Sequence, residues 1–244
     1  MVISSLENQR VKDLVKLQQK KHRDLTGTYL VEGYHLLEEA IKAEAVLEVI
    51  LLEGEEEVVN FPCTYVTSDV MKKITSLESN VKVVTICKKQ NYTEIIGKRI
   101  LLLDEIQDPG NLGTIIRSSV AFDVDMILLS ENTVDLYNPK VLRATQGMHF
   151  HIPILSVNSL ESLSFLKKNG YVIYGTDVLS GINVRELEVS SLQKFCLIMG
   201  NEGNGIRKNV KELCDKNLYI PISRKVESLN VGVACGILLY ELRR

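Results

Sequence analysis

The sequence predicts an α/β protein with a mostly parallel sheet, built as two domains, a smaller α/β domain over 1–97 and a larger one over 98–244. Three observations carry this. Short apolar runs alternate with helically periodic segments along the chain. ILLLD (100–104) and FCLIMG (195–200) are apolar throughout, as strands covered on both faces of a parallel sheet must be. Between the two regions, residues 88–99 lose strong periodicity and carry four basic side chains, which places the linker there.

In chain order, residues 8–23 read as a helix with Val11, Leu14, Val15 and Leu17 on one side. Arg10, Lys12, Lys16, Lys20, Lys21 and Arg23 crowd this stretch, either as a solvated face or as a phosphate-contacting patch. TYLVEG (28–33) is a strand turning at Gly33, and 35–43 is a helix. VLEVILL (46–52) is a buried strand, Glu53–Glu57 an acidic loop, 67–77 a helix and 81–86 a strand. In the second region 100–104 is a strand and 112–122 a helix. Leu112, Ile115, Ile116, Ser119 and Val120 form that helix's inward stripe, with Arg117 pointing elsewhere. Residues 125–130 are a strand, 138–148 a helix with Pro139 in its first turn, 151–155 a strand and 159–170 a helix stopped by Gly170. Strands follow at 171–177, 195–200 and 218–222, and 228–244 closes the chain as a helix. That last helix is apolar nearly all round, which calls for burial in a core or in a subunit interface.

At 244 residues the chain is long enough to bury a sizeable core without staples. The formal net charge is −2, so no overall basicity announces nucleic acid, although a local patch is sufficient. The five cysteines are scattered and form no CxxC pair, which predicts buried reduced thiols and a cytoplasmic protein. The four histidines make no metal box, and no metal is expected; His149 and His151 would share a face in an extended segment. The polar opening MVISSLENQRVKDL predicts no secretory signal, and no apolar run suggests a membrane span.

Candidate chemistry lies where apolar runs meet polar turns. GNEGNGI (200–206) is not a phosphate loop: Ile206 stands where GxxxxGK[ST] needs Lys, and Lys208 stands at the third glycine of GxGxxG. Dehydrogenase and ATPase readings fail there. Its glycines let backbone approach a ligand, and Glu202 is held within the turn. DPGNLG (108–113) offers Asn111 as a helix N-cap, and Ser228 would cap the last helix with Asn230 in its first turn. Arg117 has the planar donor fork that suits a phosphate or an oxyanion.

Taken together, DPGNLGTIIRS, IMGNEGNGI and IPISRKVESLNVGVACGI, in this order, resemble the SpoU/TrmH family of RNA ribose 2′-O-methyltransferases within the SPOUT superfamily. The resemblance covers 100–244, and the first part of the chain is similar to the substrate-binding domain that precedes many members. It implies S-adenosyl-L-methionine bound within a deep trefoil knot, and homodimerisation through the knotted domain. Gly200, Ile220 and Leu229 match cofactor-binding positions, with Gly175, Thr176, Met199 and Ile222 as further candidates. Asn111, Arg117, Glu202, Ser228 and Asn230 match catalytic and substrate-orienting positions. The partner implied is RNA, ribosomal ahead of transfer RNA, with the basic helix engaging it. A tRNA methyltransferase, or an RNA-binding ribosome-assembly protein of the same fold without methyl transfer, are the alternatives. One departure is visible: members often carry Gly after the IPM stretch, where this chain has Ser223-Arg224-Lys225.

Overall fold

The computed structural model describes residues 2–76, 80–178, 180–187 and 194–243. Leu77 and Arg244, the expected ends of two helices, lie outside the described residues. The chain forms two compact units, one of 1–90 with 135–150 and one of 91–134 with 151–244. The linker stretch from Asn91 thus counts with the second unit. Asp135–Phe150, which lies inside the expected second domain, counts with the first.

The first unit contains β1 (Val2–Ile3), α1 (Gln9–Lys16), α2 (Lys20–Thr26), β2 (Thr28–Glu32), α3 (Tyr34–Lys42), β3 (Val46–Leu52), β4 (Cys63–Val66), α4 (Ser68–Ile74) and β5 (Val83–Lys88). The sheet order is β1-β4-β3-β5-β2. Here β5 runs antiparallel to both its neighbours, a local reversal of the parallel expectation. The single helix expected over 8–23 is two helices. Arg23 explains the break: it is buried, and its guanidinium donates to the Leu17 and Gln18 carbonyls, both at 2.8 Å. The helix Pro139–Thr145 (α6 in chain order) also belongs to this unit, and Leu142 and Phe150 join Tyr29, Val31 and Leu36 in one apolar cluster. His149 lies in a short 3-10 turn, not a strand. It is buried, 3.1 Å from the Tyr29 hydroxyl and 2.9 Å from that of Thr145, so it shares no open face with His151.

The second unit contains β6 (Arg99–Asp104), α5 (Pro109–Ala121), β7 (Met126–Ser130), β8 (Ile154–Val157), α7 (Ser159–Lys168), β9 (Val172–Thr176), β10 (Ile182–Asn183), β11 (Phe195–Gly200), α8 (Lys208–Lys211), β12 (Lys216–Tyr219) and α9 (Val231–Leu242). Its sheet order is β10-β12-β9-β11-β6-β7-β8, with parallel ladders. The chain winds outward from β6 through β7 to β8, then crosses to the far side for β9. Such a reversal opens a crevice at the carboxyl ends of the strands. In register, Asp104 of β6 lies beside Gly200 of β11, so both polar turns start at the same edge.

Two cap assignments are corrected. Asp108, not Asn111, caps α5, accepting the Asn111 backbone N–H at 2.8 Å. Asn230, not Ser228, caps α9, accepting the N–H groups of Gly232 at 2.9 Å and Val233 at 3.3 Å. Both corrections follow from Asp and Asn being N-cap formers as good as Ser. They leave the Asn111 amide free for other work. The last helix is not wholly buried either. Gly232 and Gly236 admit Thr114 and Ser118 of α5, where an added Cβ would stand 3.1 and 3.5 Å away. Val233, Ile237 and Tyr240 form an exposed stripe, 51%, 37% and 61% accessible. All five cysteines are free thiols, with Cys87, Cys196 and Cys235 buried. Among the described residues no helix is long and apolar enough to cross a membrane.

Candidate active site

A cavity of about 700 Å3 opens at the carboxyl edge of the parallel sheet. Four pieces of chain wall it: the end of β9 (176–178), the turn after β11 (199–206), the segment 218–222, and 227–231 leading into α9. Asn111 of α5, Lys211 of α8, and Ala234 and Leu238 of α9 complete the wall. Thr176, Met199, Gly200, Ile220, Ile222 and Leu229 all line it, as do Asn111, Glu202, Ser228 and Asn230. Arg117 does not; it is exposed on α5. Gly175 is also outside the wall, because it faces Cys214 and Asn217, where an added Cβ would meet atoms at 2.5–2.7 Å.

The turn after β11 is shaped by close backbone approach. A Cβ at Gly200 would stand 2.2 Å from the Gly205 carbonyl carbon and 2.3 Å from the Ile206 nitrogen, so only glycine fits. Asn201 and Gly205 exchange backbone hydrogen bonds of 3.0 and 2.9 Å. The Asn201 side chain accepts from the N–H groups of Gly203 and Asn204 and donates to the Glu105 carbonyl at 2.8 Å. Beyond the turn, Arg207 grips Asp104, a carboxylate with no exposure, through its backbone N–H at 3.0 Å, Nε at 2.9 Å and Nη2 at 2.5 Å. The sequence gives little warning of this pair, since its members lie 103 positions apart. The only hint is an acid ending an otherwise apolar strand.

This closed turn presents Glu202 to the start of α5. Glu202 accepts from the backbone N–H groups of Gln107 at 3.2 Å and Asp108 at 3.1 Å, and from Asn111 Nδ2 at 3.0 Å. Asn111 Oδ1 in turn accepts from Asn230 Nδ2 at 2.8 Å. The oxygen of Asn230 is already committed to the α9 cap. The cap therefore fixes which way Asn230 faces, Asn230 fixes Asn111, and Asn111 points its donor at Glu202. Burial pushes the Glu202 carboxyl up, but hydrogen bonds from Asn111 and the backbone outweigh it, and the group rests below the usual carboxylate range.

The lining chemistry separates ligand classes. Met199, Ile206, Leu218, Ile220, Ile222, Leu229 and Leu238 give apolar surface for a flat base. Asp177, Glu202 and Glu227 are acidic. The wall's one cation among the described residues, Lys211, is spent on Asp177 at 2.5 Å. Among the described residues no unpaired cation lines the cavity to meet a di- or triphosphate. A nucleoside carrying a cationic centre fits, and this is the charge type of S-adenosyl-L-methionine.

Of the six basic residues of the first unit, Arg23 is withdrawn from any surface role: it is 4% exposed and ion-paired with Asp135. Arg10 is ion-paired with Glu48, Lys12 with Glu7 at 2.6 Å and Lys16 with Asp13 at 2.8 Å. Lys20 and Lys21 are exposed and, among the described residues, without an ion pair.

Comparison with known proteins agrees with this geometry. Residues 98–240 match the model of the SpoU rRNA Methylase family, and residues 8–85 match the MRM3-like substrate binding domain. Over 99% of this chain and 98% of its own length, the 23S rRNA (guanosine(2553)-2′-O)-methyltransferase RlmP of Bacillus subtilis is 39% identical. A solved rRNA methyltransferase from Sinorhizobium meliloti superposes with a TM-score of 0.90 at 30% identity, covering 100% of this chain and 97% of that one. An AdoMet-bound rRNA methyltransferase from Sinorhizobium meliloti superposes with a TM-score of 0.89, at 30% identity and covering 100% of this chain and 97% of that one. The chain belongs to the SpoU rRNA methylase family.

Proposed function

We propose that this protein transfers a methyl group from S-adenosyl-L-methionine to the 2′-hydroxyl of a guanosine ribose in 23S rRNA. The similarity over nearly the full length to an enzyme named for that reaction supports it. The observation that carries it is the chain Glu202–Asn111–Asn230 on the wall of an acidic and apolar cavity.

When bound, S-adenosyl-L-methionine supplies an electrophilic methyl on a positively charged sulfur. Backbone groups of Gly200, Ile220 and Leu229 hold its nucleoside, with Thr176, Met199 and Ile222 around them. The acidic lining favours the cationic end. Asn111 and Asn230, with donors and acceptors fixed by Glu202 and the helix cap, orient the ribose, and Ser228 stands beside them. Alignment of hydroxyl and methyl supplies much of the rate, up to about 7–11 kcal/mol for well-placed partners. As the C–O bond forms and the methyl–sulfur bond breaks, the hydroxyl's proton passes to solvent water. Arg117 has only donors and is no base; it binds the adjacent phosphate and stabilises the developing alkoxide.

Because Arg117 lies outside the cavity of its own chain, it works from a homodimer. The exposed Val233, Ile237 and Tyr240 of α9 supply the apolar face for that contact. The first unit engages the RNA, with Lys20 and Lys21 as its available cations and Lys12, Lys16 and Arg10 as charges shared with carboxylates. The test is transfer of radiolabelled methyl by purified protein to 23S rRNA from a strain lacking the gene. Label in one ribose 2′-O-methylguanosine supports the proposal; RNA binding with no label refutes it in favour of an assembly factor.

A further inference from the structure

The cavity wall poses an electrostatic problem. Its ionisable lining is three carboxylates and one lysine already paired, which attracts a sulfonium but repels RNA. The phosphates on either side of the reacting ribose therefore need cations outside the wall but within reach of it. In the second unit several basic side chains are already held by acids. Lys167 pairs with Asp215 at 2.8 Å, Arg207 with Asp104 at 2.5 Å, Lys211 with Asp177 at 2.5 Å and Arg243 with Asp123 at 2.7 Å.

Arg224 and Lys225 are different. Both are exposed, and among the described residues neither has an ion pair. They sit at the tip of a short turn whose two ends, Ile222 and Glu227, are themselves part of the cavity wall. Only four residues separate these two lining positions, which keeps the tip close to the wall. The turn is also held in shape: Val226 donates to the Ser223 carbonyl at 3.1 Å, and Lys225 N–H donates to Ser223 Oγ at 3.3 Å. Glu227 is the nearest acid in sequence, and it faces the cavity.

We infer that Arg224 and Lys225 form a phosphate-binding rim, gripping the sugar-phosphate backbone that flanks the target ribose. Arg224 supplies a planar fork that matches a phosphate's two oxygens, and Lys225 supplies a point charge. The acidic wall and the basic rim divide the labour: one selects the cationic methyl donor, the other holds the polyanionic acceptor in front of it. This deepens the methyltransferase proposal and rests on it.

The experiment compares wild type with Arg224→Ala/Lys225→Ala and with the charge-keeping Arg224→Lys/Lys225→Arg. The probe is 23S rRNA from a strain lacking the gene. Binding is read across salt concentrations, cofactor affinity by calorimetry and methyl transfer by label. Each phosphate contact contributes about 0.7–0.9 to the salt slope, so losing two lowers it by roughly 1.5 and weakens binding about 30-fold near 0.1 M salt. The double alanine variant is expected to show both effects, with KM for RNA raised and cofactor Kd unchanged, while the charge-keeping variant stays within threefold of wild type. An unchanged slope and RNA affinity in the alanine variant overturns the rim and leaves the methyltransferase proposal standing. Absence of transfer by wild type strikes the methyltransferase proposal instead.

Discussion

Glu202→Gln is the sharpest perturbation of this site, because the carboxylate accepts three hydrogen bonds and an amide cannot. Oε1 takes the Asp108 N–H at 3.1 Å and Asn111 Nδ2 at 3.0 Å, and Oε2 takes the Gln107 N–H at 3.2 Å. The best orientation of a glutamine keeps the first two and turns its own NH2 towards the Gln107 N–H. One charge-assisted bond, worth about 1.5–3 kcal/mol, is lost, and two more weaken. Solvent reaches Glu202, so the net loss in positioning is about 2 kcal/mol, a roughly 30-fold fall in kcat. The amide adds no volume, so fold and cofactor Kd stay near wild type. Single-turnover methyl transfer and calorimetry read the two quantities separately. A variant with kcat within threefold of wild type refutes the orienting chain.

Asn230→Asp keeps the α9 cap but sets an acceptor against Asn111 Oδ1 in place of the donor now 2.8 Å away; a thermal melt should shift little, since Asp caps as well as Asn, while kcat falls at least tenfold. Arg207→Ala leaves the fully buried Asp104 without its guanidinium and should cost about 3–5 kcal/mol, seen as a fall in Tm of about 10 °C or more. Arg117→Ala should abolish turnover with cofactor Kd unchanged, because Arg117 is outside the cavity; mixing it with Glu202→Gln subunits should restore activity through hybrid dimers, and no recovery would argue against a partner-supplied arginine. The Glu202 carboxyl is held below its ordinary 4.5, so its contribution to stability is present above that pH and is lost as pH falls through the lowered value; a pH profile should show no Glu202-dependent limb between pH 5 and 8.

Much of the second unit was legible in its sequence because buried parallel strands are apolar throughout and turn residues interrupt them. Gly200 and Glu202 could be singled out because glycines and a lone acid in an apolar context have few other uses. What stayed hidden were the long-range partners. The break in the first helix depends on Arg23 reaching the Leu17 carbonyl, which periodicity cannot encode. Caps were misassigned by neighbours, since Asp108 and Asn111 are both good N-cap residues and only the backbone decides between them. The terminal helix was right in composition but half-right in burial: its apolar face of Val233, Ile237 and Tyr240 is exposed in the single chain. Chain position placed Asp135–Phe150 in the second domain, yet Leu142 and Phe150 pack on Tyr29 in the first unit.

The most direct measurement is mass mapping of ribose methylation on 23S rRNA from a strain lacking the gene, restored with either wild type or Glu202→Gln. One guanosine 2′-O-methyl group should vanish on deletion, return with wild type and return weakly with the variant. An identical methylation map in all strains would contradict the assignment of this cavity to methyl transfer on ribosomal RNA.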